Sequence, residues 1–343
     1  MAEKTPTILV TGVSGYIAGH VTAGLLQRGY KVRGTVRSLK KGERVQQDLE
    51  EFGVDTAKLS FIEADLDMDD GWEDATKDCQ YIQHLASPFP MEQPTDREAL
   101  VPAARAGAQR VLAAGFAANV DRIVLTSSLV SMMGKPGKGA HMMVTEDDWS
   151  DPDWRALTAY AVSKTRAELS AWDYARIQGF QDRLTVVNPG FVLGPAIGKT
   201  YGTSLALIEQ MFKGEFPRTP KACFPIVDVR DLANLHIEAM LVKKAAGRRL
   251  IGAGKSLWLR EIAAIARAAY PKRGRKLPKG DMPSFIVKIA AIFDNRIKGV
   301  LSDLDTCHEV DNAYVTDLTG VSFRDPKQSV LDSCEYLIAQ GKI

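Results

Sequence analysis

The chain has 343 residues, a length that suits one large domain or two modest ones. Hydrophobic residues make up 45% and charged residues 25%, as in ordinary globular proteins, and a formal net charge of +2 gives no basic field to attract nucleic acid or a membrane surface. No apolar run approaches the roughly 18 residues of a membrane span, and the run at residues 8–10 is too short for a secretory signal, so we expect a cytoplasmic protein.

The four cysteines, Cys79, Cys223, Cys307 and Cys334, are far apart and form no C-x-x-C pair. Their spacing suggests neither a zinc site nor a disulfide framework, and it fits a reducing compartment. The sequence shows no H-E-x-x-H motif, no Ser–His–Asp arrangement and no set of residues at metal-ligand spacing. We therefore expect no metal.

Short β-rich runs alternate with helical stretches through the first half of the chain. Helices are predicted over residues 18–28, 97–118 and 159–178. Alternation of this kind predicts βαβ units and a parallel sheet covered by helices on both faces. The runs predicted as strands are, in chain order, Thr7–Thr11, Lys31–Val36, Leu59–Glu63, 81–85, Arg122–Thr126 and 184–187.

After residue 188 glycine and proline become frequent, and helical patterns then dominate. One more strand is predicted over residues 249–251. The expected fold is therefore α/β, a doubly wound parallel sheet with a smaller, mostly helical C-terminal lobe. The helices predicted in this half cover residues 204–212, 229–243, 258–270 and, at an apolar run, 285–293.

A glycine-rich turn, residues 11–18, lies between the first strand and the first helix. A turn there lets the backbone approach a pyrophosphate, and the helix N-terminus supplies amide donors and a positive dipole end. The alternative is a purely structural strand-to-helix turn. Its position in the first βα unit favours dinucleotide binding. The predicted contacts are Gly12, Ser14, Gly15, Tyr16 and Ile17.

The residues after the second strand indicate which dinucleotide binds. NAD-binding proteins usually carry an acidic residue there, which holds the ribose hydroxyls. This chain has Arg37 instead, with Arg44 nearby, and a guanidinium would pair with the 2′-phosphate of NADP. After the third strand, Asp65 can accept a hydrogen bond from the adenine amine, with Leu66 beside it. We predict NADP (NADPH); the alternative is that the arginines are surface charges at a helix start.

Tyr160 and Lys164 lie four residues apart, on one face of a predicted helix. A nearby ammonium favours the phenolate and lowers the pKa of a tyrosine, which makes the phenol a usable acid or base. Nine tyrosines predict about half a Y-x-x-x-K match by chance, so the pair alone is weak. Its position after the fifth strand strengthens it, because open α/β sheets bind ligands at their carboxyl edge.

Ser128 follows the fifth strand at the same edge. A hydroxyl there can polarise a substrate carbonyl while hydride arrives from a nicotinamide. Ser127 is the alternative if the register differs by one residue. We predict Ser128, Tyr160 and Lys164 as the catalytic residues.

Seven segments in one order resemble the extended short-chain dehydrogenase/reductases, and most closely their dihydroflavonol reductase-like branch. That branch includes cinnamoyl-CoA reductases and aldehyde and ketone reductases. The resemblance covers nearly the whole chain and implies a Rossmann fold and NADPH-dependent reduction of an aldehyde or ketone to the alcohol. The matching segments are residues 11–18, 32–37, 84–89, 125–128, 160–164, 188–195 and 227–231.

The resemblance implies roles for individual residues. Ser128 would orient the carbonyl, Tyr160 would donate the proton, and Lys164 would bind the nicotinamide ribose and tune Tyr160. Phe89 and Phe191 would wall the substrate pocket. Further cofactor contacts are implied at Leu85, Ala86, Ser87, Thr126, Pro189, Gly190, Val192 and Ser204.

One position departs from the plant flavonoid reductases, which carry an amide side chain five residues after the catalytic serine. Here that position is Met133, preceded by Met132. Two thioethers would form an adaptable apolar wall, which favours an apolar or aryl carbonyl over a polyhydroxylated flavonoid. His84 ends the fourth predicted strand, and we expect it in a packed, hydrogen-bonded role rather than a catalytic one.

We expect residues 1–190 to form the NADP-binding domain, with segments of about 225–255 interleaved, and residues 191–343 to form the substrate lobe. The expected partner is a small-molecule carbonyl, with no nucleic acid and no membrane. Relatives of this branch are monomers or dimers, so a homodimer stays open.

Three other functions stay open. A nucleotide-sugar epimerase or dehydratase uses the same three catalytic residues and clamps a diphosphate with basic residues such as Arg218, Arg248 and Arg249, although Arg37 argues against the NAD it would hold. A hydroxysteroid dehydrogenase would suit the apolar wall. A non-catalytic dinucleotide sensor would normally lack the tyrosine or the lysine, and this chain has both.

Overall fold

The computed structural model describes residues 5–87, 94–136, 139–293 and 299–343. Its strands are β1 (Thr7–Thr11), β2 (Lys31–Val36), β3 (Leu59–Glu63), β4 (Cys79–His84), β5 (Arg122–Thr126), β6 (His141–Val144), β7 (Leu184–Pro189), β8 (Phe191–Leu193), β9 (Thr219–Pro220), β10 (Cys223–Asp228), β11 (Arg249–Gly252), β12 (Ser256–Trp258), β13 (Asp281–Met282) and β14 (Cys307–Val310). Its α-helices are α1 (Tyr16–Gln27), α2 (Leu39–Glu51), α3 (Trp72–Thr76), α4 (Val101–Ala117), α5 (Val130–Met133), α6 (Ala159–Ile177), α7 (Thr203–Lys213), α8 (Val229–Leu241), α9 (Leu259–Ala269), α10 (Ser284–Phe293), α11 (Ala313–Thr319) and α12 (Pro326–Ala339). Short 3-10 turns cover Gln181–Arg183, Lys243–Ala245, Arg273–Lys276 and Leu301–Asp303.

Seven strands form one parallel sheet in the order β11-β7-β5-β4-β1-β2-β3. The side chains of β1 alternate between its two faces. Ile8 and Val10 pack with α1 and α8, while Leu9 packs with α4 and α6 on the opposite face. The predicted α/β class and doubly covered parallel sheet are therefore confirmed. Strand order reverses between β1 and β4, which opens a crevice at the carboxyl ends of these strands.

A second, smaller sheet was not predicted. Its strands run in the order β12-β10-β14-β6, and β8 also pairs with β10. Most of these strands have three or four residues, and Pro225 interrupts the β10 run, which weakens a strand pattern in the sequence. Helices dominate the C-terminal part of the chain as predicted, and α9 and α12 pack against this sheet.

The expectation for the cysteines is wrong for one pair. Cys223 and Cys307 form a disulfide, because β10 and β14 pair at these two residues with their Cα atoms 4.5 Å apart. They are 84 positions apart in the chain, so spacing rules, which detect local pairs, give no sign of the bond. Cys79 and Cys334 are free and buried.

The apolar run near residue 290 forms α10, as predicted, and this helix is only partly buried. Val287 and Ala291 lie inside, whereas Phe285 and Ile292 are 65% and 70% exposed. The helix therefore buries one side and exposes apolar side chains on the other. Within the four described ranges, no helix is long and apolar enough to cross a membrane.

Candidate active site

The turn between β1 and α1 borders a cavity of about 410 Å³. Gly12 has a φ of +62°, a left-handed conformation that costs other residues energy. A Cβ atom at Gly12 would lie only 3.0 Å from Cβ of Ala86, so the loops approach closely because the side chain is missing. Gly15 precedes α1 and no side chain caps its first turn. The free amides and the positive end of the helix dipole can therefore hold an anion.

Thr11 and His84 hold two loops of this crevice together. The Thr11 hydroxyl accepts hydrogen bonds from the amides of Leu85 and Ala86, at 3.1 and 3.0 Å. The same hydroxyl donates to His84 Nδ1 at 2.8 Å. Burial and the nearby Lys164 lower the pKa of His84 to about 3, so the ring is neutral with its proton on Nε2. His84 thus has the packed, hydrogen-bonded role expected from the sequence.

Of the basic residues predicted to select NADP, Arg44 borders the same cavity as the glycine turn. Arg37 is exposed just beyond the end of β2. Arg44 and Lys41 on α2 border a neighbouring cavity of about 350 Å³, and Lys41 was not among the predicted contacts. Arg44 is ion-paired with Asp48 at 3.0 Å; such exposed pairs are weak, which leaves the guanidinium available to a phosphate. From the turn, the same cavity is lined by Val13, Ser14 and Gly15.

Most of the other predicted cofactor contacts surround the 410 Å³ cavity. Leu66 and Ala86 lie around a small adjoining void that Ser87 shares. Asp65 follows β3, and its Oδ1 accepts a hydrogen bond from the Asp67 amide at 3.2 Å. The predicted residues that line the main cavity are Gly12, Gly15, Tyr16, Ile17, Leu85, Ser87, Thr126, Tyr160, Lys164, Pro189, Gly190, Val192 and Ser204.

Ser128, Tyr160 and Lys164 meet at one wall of this cavity. Helix α6 carries Tyr160 and Lys164 one turn apart, and the side chain of Thr158 caps its N-terminus. Ser128 lies just past the end of β5, where its hydroxyl is hydrogen-bonded to the Tyr160 phenol. Lys164 Nζ donates to the carbonyl oxygen of Thr126 at 3.3 Å. The structure therefore brings the three residues together.

The pKa of Tyr160 moves in the direction opposite to the sequence-based expectation. Burial raises the pKa of Tyr160, and its hydrogen bond with Ser128 offsets only part of that rise. Lys164 is itself desolvated, which lowers its pKa to about 8, while the charge of Glu168 acts in the opposite direction. The predicted lowering of the phenol pKa by Lys164 is therefore wrong in this state. The phenol is therefore protonated near neutral pH, as a proton donor must be, but its raised pKa makes it a weaker acid than expected from the sequence.

Ser127 is directed away from the phenol. It is 6% exposed, and its hydroxyl donates to Glu168 Oε2 at 2.5 Å inside the core. Ser131 donates to the same oxygen at 2.6 Å. Of the two serines considered, Ser128 is the one that contacts Tyr160.

Glu168 is a residue that the sequence analysis missed. It is fully buried on α6, one turn beyond Lys164, and its Oε1 accepts a hydrogen bond from Arg249 Nε at 2.6 Å. Asn188 donates to Oε2 at 2.9 Å, and the Arg249 guanidinium lies 3.7 Å over the ring of Trp149. The four-residue spacing from Lys164 was the available signal, since it places both side chains on one helix face.

A second cavity, of about 440 Å³, extends from Tyr160 toward the C-terminal part of the chain. Met133, Phe191 and Phe224 line both cavities, and the two phenylalanine rings stack with centroids 5.9 Å apart. Its other apolar lining residues include Val130, Leu157, Leu207, Met211, Phe216, Leu259, Met282, Val287 and Val300.

The prediction that Met132 lines the substrate pocket is wrong. Met132 is fully buried in the core beside the sheet, whereas Met133 faces the cavities. The two residues belong to α5, a single helical turn, and consecutive helical side chains point about 100° apart. The predicted pocket residue Phe89 lies outside the described residues.

A parallel sheet with a glycine turn at its switch point, and with hydroxyl, phenol and amine groups at its carboxyl edge, is the architecture of a Rossmann-fold dinucleotide enzyme. Comparison with known proteins agrees. The sequence model of the NAD dependent epimerase/dehydratase family matches residues 8–251. Cinnamoyl-CoA reductase 2 of Arabidopsis thaliana is 34% identical to this chain, over 98% of the chain and 93% of its own length.

Two further relatives extend this comparison. Ketoreductase azaE of Aspergillus niger is 28% identical, over 99% of this chain and 100% of its own. The crystal structure of yeast methylglyoxal/isovaleraldehyde reductase Gre2 complexed with NADPH is 27% identical, with a TM-score of 0.79 over 98% of this chain and 100% of that one. The chain therefore belongs to the NAD dependent epimerase/dehydratase family of extended short-chain dehydrogenase/reductases, in the dihydroflavonol reductase-like branch that its motifs resemble.

Proposed function

We propose that this chain is an NADPH-dependent oxidoreductase that reduces an aldehyde or ketone to the alcohol. The observation that carries the proposal is that Ser128, Tyr160 and Lys164 line one wall of the first cavity, where Tyr160 also borders the second. Because Tyr160 borders both cavities, a carbonyl group in the second can reach a nicotinamide in the first. The reductases among its relatives support the same activity.

The residues of the first cavity and of the neighbouring cavity of about 350 Å³ fit NADPH. The glycine turn and the uncapped start of α1 would hold the pyrophosphate, and Arg44 and Lys41, with Arg37 nearby, would hold the 2′-phosphate. Lys164 would hold the nicotinamide ribose. When bound, NADPH supplies the hydride that adds to the carbonyl carbon.

Each of the three predicted catalytic side chains would have its own role in the proton transfer. The Tyr160 phenol, which is protonated near neutral pH, would give its proton to the carbonyl oxygen. The Ser128 hydroxyl would donate a hydrogen bond to the same oxygen and fix the direction of the carbonyl group. The Lys164 ammonium would stabilise the phenolate left on Tyr160 after the proton has moved.

The second cavity favours an apolar or aryl carbonyl compound. Met133 and the stacked pair Phe191 and Phe224 stand next to Tyr160, and an apolar substrate displaces water from such a wall. The position that carries an amide in flavonoid reductases is the thioether of Met133, which offers ring hydroxyls no strong partner.

A nucleotide-sugar epimerase or dehydratase has less support. Arg249 is buried against Glu168, and Arg248 borders a different cavity beside Trp149. Neither side chain is therefore available to clamp a diphosphate next to Tyr160. Of the three arginines considered for that role, Arg218 borders the apolar cavity.

Replacing Tyr160 by phenylalanine tests the proposal. We expect Tyr160→Phe to lose about 10²–10⁴-fold in kcat, because it removes the proton donor, and to keep nearly the same Kd for NADPH. NADPH oxidation with a panel of aldehydes and ketones gives kcat, and fluorescence titration gives Kd. Tyr174→Phe, on the same helix but packed against Phe116, is the matched control and should keep full turnover. Turnover near that of the wild type in Tyr160→Phe would refute the mechanism.

We also propose that residues 1–190 and 191–343 act as the cofactor domain and the substrate lobe. Support comes from β11, which lies within residues 225–255 and pairs with β7 of the cofactor domain. A segment from late in the chain thus joins the sheet of the first domain, as expected from the sequence. The cytoplasmic location and the oligomeric state, a homodimer included, stay predictions. Cell fractionation and light scattering check them.

A further inference from the structure

Four side chains that the reductase mechanism does not use meet on one face of the small sheet. Cys223 on β10 pairs with Cys307 on β14, and Cys307 pairs with His141 on β6. Directly paired residues point to the same side of a sheet, and so does Glu309, two positions beyond Cys307 on β14. Two sulfurs, one imidazole and one carboxylate therefore share one side.

The spacing of these groups suits a metal ion. The potential ligand atoms of His141, Cys307 and Glu309 all lie within 4.8 Å of one another, and His141 Nδ1 is 3.7 Å from Glu309 Oε1. Ligand atoms about 2.0–2.3 Å from a tetrahedral ion stand roughly 3.3–3.8 Å apart. The atoms of His141, Cys307 and Glu309 are therefore close to that spacing, and the Cys223 sulfur lies beside them, bonded to that of Cys307.

The two cysteines of the cluster are buried, whereas its histidine and its glutamate are exposed. Cys223 and Cys307 are 1% and 4% exposed, whereas the side chains of His141 and Glu309 are 68% and 47% exposed. An ion can therefore enter from the solvent side and be held against sulfur on the protein side. The half-open geometry also leaves the imidazole free to turn toward the ion.

We propose that, once the Cys223–Cys307 bond is reduced, the two thiolates together with His141 and Glu309 bind one Zn²⁺ ion. Thiolate and imidazole ligands in a four-coordinate set favour zinc over the harder Mg²⁺ and Ca²⁺, which take oxygen ligands. The disulfide is the metal-free, oxidised form of the same site, because a disulfide sulfur carries no negative charge to offer a cation.

The two forms interconvert by a balanced redox step. A peroxide takes one electron from each of the two thiolates; the S–S bond forms and the O–O bond breaks. The two peroxide oxygens take up two protons from solvent and leave as water or alcohol, and Zn²⁺ leaves as the hydrated ion. A dithiol reductant reverses the sulfur chemistry, and the thiols lose their protons when Zn²⁺ binds.

Cobalt(II) is the probe for the test, because thiolate ligation gives it an intense near-ultraviolet band and tetrahedral ligation gives it strong visible bands. The full chain is reduced with a phosphine, desalted without oxygen and titrated with Co²⁺, and Zn²⁺ is then measured by displacement. We expect one Co²⁺ per reduced chain, displaced by one Zn²⁺, and loss of both bands after treatment with hydrogen peroxide.

Variants assign the ligands. His141→Ala and Glu309→Gln alter exposed side chains, so they spare the fold, and each should weaken Zn²⁺ binding by at least about tenfold, since even outer partners of metal ligands cost about 10–100-fold. Cys307→Ser should abolish the thiolate band. The double variant Cys79→Ser/Cys334→Ser removes the two other cysteines, which are free, and is the matched control that should bind like the wild type.

Three results would overturn the proposal. One is reduced wild-type protein that binds Co²⁺ without a thiolate band. Another is His141→Ala with unchanged Zn²⁺ affinity, a result that stands even if the cysteine variants fail to fold. The third is loss of the ion in the Cys79→Ser/Cys334→Ser control instead.

Discussion

At the residue scale, the burial of Lys164 sets the pH range of the site. The side chain is 9% exposed, and desolvation lowers its pKa to about 8 against the opposing charge of Glu168. The unfolded chain, with a lysine pKa near 10.5, therefore binds more protons between about pH 8 and 10.5. In that window this group makes the free energy of unfolding rise with pH, because folding favours its neutral form.

The same titration predicts the pH dependence of catalysis. We expect kcat/KM to fall as pH rises through about 8, by up to about tenfold per pH unit, because the Lys164 ammonium loses its proton there. Initial rates from about pH 6 to 10 measure this. Lys164→Arg keeps its charge throughout, so any activity it retains should show no such fall. If kcat/KM of the wild type stayed constant up to pH 10, Lys164 would not be the group whose ammonium form catalysis needs.

Gly12 supports a second prediction at this scale. Gly12→Ala combines the left-handed φ of +62° with a Cβ contact of 3.0 Å to Ala86, and we expect the Kd for NADPH to rise at least about tenfold. Gly53→Ala is the control, because Gly53 also has a left-handed φ, +86°, but has nothing within 4 Å of an added Cβ. Both variants should lose about 1–2 kcal/mol in unfolding free energy. Equal NADPH affinity in the two would contradict the prediction.

Much of the site was predictable because its residues follow motif positions at strand ends. The glycine turn, Tyr160 and Lys164 depend on local spacing that the sequence displays directly. The direction of the Tyr160 pKa shift was not predictable, since it depends on burial among residues distant in the chain. Met132 and Met133 are chemically alike, and only the direction in which α5 turns decides which of them faces the cavities.

At the scale of elements, Glu168 joins several parts of the molecule at one carboxylate. It lies on α6 and accepts hydrogen bonds from Ser127 after β5, Ser131 on α5, Asn188 on β7 and Arg249 on β11. Each bond ties one element to α6, and α6 carries Tyr160 and Lys164. The position of the helix face that carries these two residues therefore depends on this buried network.

Removing the Glu168 charge tests that dependence. Glu168→Gln leaves the Arg249 guanidinium without its counter-charge, and we expect a loss of about 3–5 kcal/mol in unfolding free energy by denaturant titration. The pKa of Lys164 should also fall, since Glu168 raises it, and the fall in kcat/KM should begin at a lower pH. If Glu168 only stabilised the fold, Glu168→Gln would not change the pH at which kcat/KM begins to fall.

Glu238→Gln is the matched control for this experiment. Its carboxylate pairs with Arg28 at 2.7 Å, but both side chains are partly exposed, at 23% and 35%. We expect a change of about 0–1 kcal/mol and an unchanged pH profile. If both variants lost the same stability, the buried network would have no special role.

The sequence predicted the ends of some strands and helices better than those of others. Strands β1, β2, β3 and β5 begin and end where expected. Continuous apolar runs buried on both faces mark β1 and β5, whereas β2 and β3 are more polar and partly exposed. Helix α4 begins at Val101 rather than at residue 97, because Pro102 favours the first turn of a helix and disfavours helix before it. The strands of the small sheet escaped prediction because they are short and owe their stability to partners far along the chain.

At the scale of the whole molecule, a strand from late in the chain completes the seven-stranded sheet. Strand β11 pairs with β7 as the edge of the sheet, and it also brings Arg249 to Glu168. Helix α8, from the same late segment, packs against α1 on one face. A chain that ends before these segments lacks an edge strand, a covering helix and the partner of a buried charge.

We therefore expect a fragment of residues 1–190 not to unfold cooperatively. Its Glu168 would be buried without a counter-charge, and the apolar face over β1 would lose α8. Thermal unfolding followed by circular dichroism measures this. The control fuses the fragment through a short Gly/Ser linker to residues 229–255, which restores α8 and β11, and it should regain a cooperative transition. A sharp transition in the unfused fragment would contradict the prediction.

The late position of β11 also matters while the protein is being made. Roughly 60 residues separate the end of β7 from the start of β11, and translation at about 5–20 residues per second adds them in roughly 3–12 s. Throughout that interval the nascent chain presents the backbone of β7 as an open edge, the kind of surface at which chains pair with one another. The β7 edge is therefore most open to pairing with another chain in those seconds, before the edge strand emerges from the ribosome.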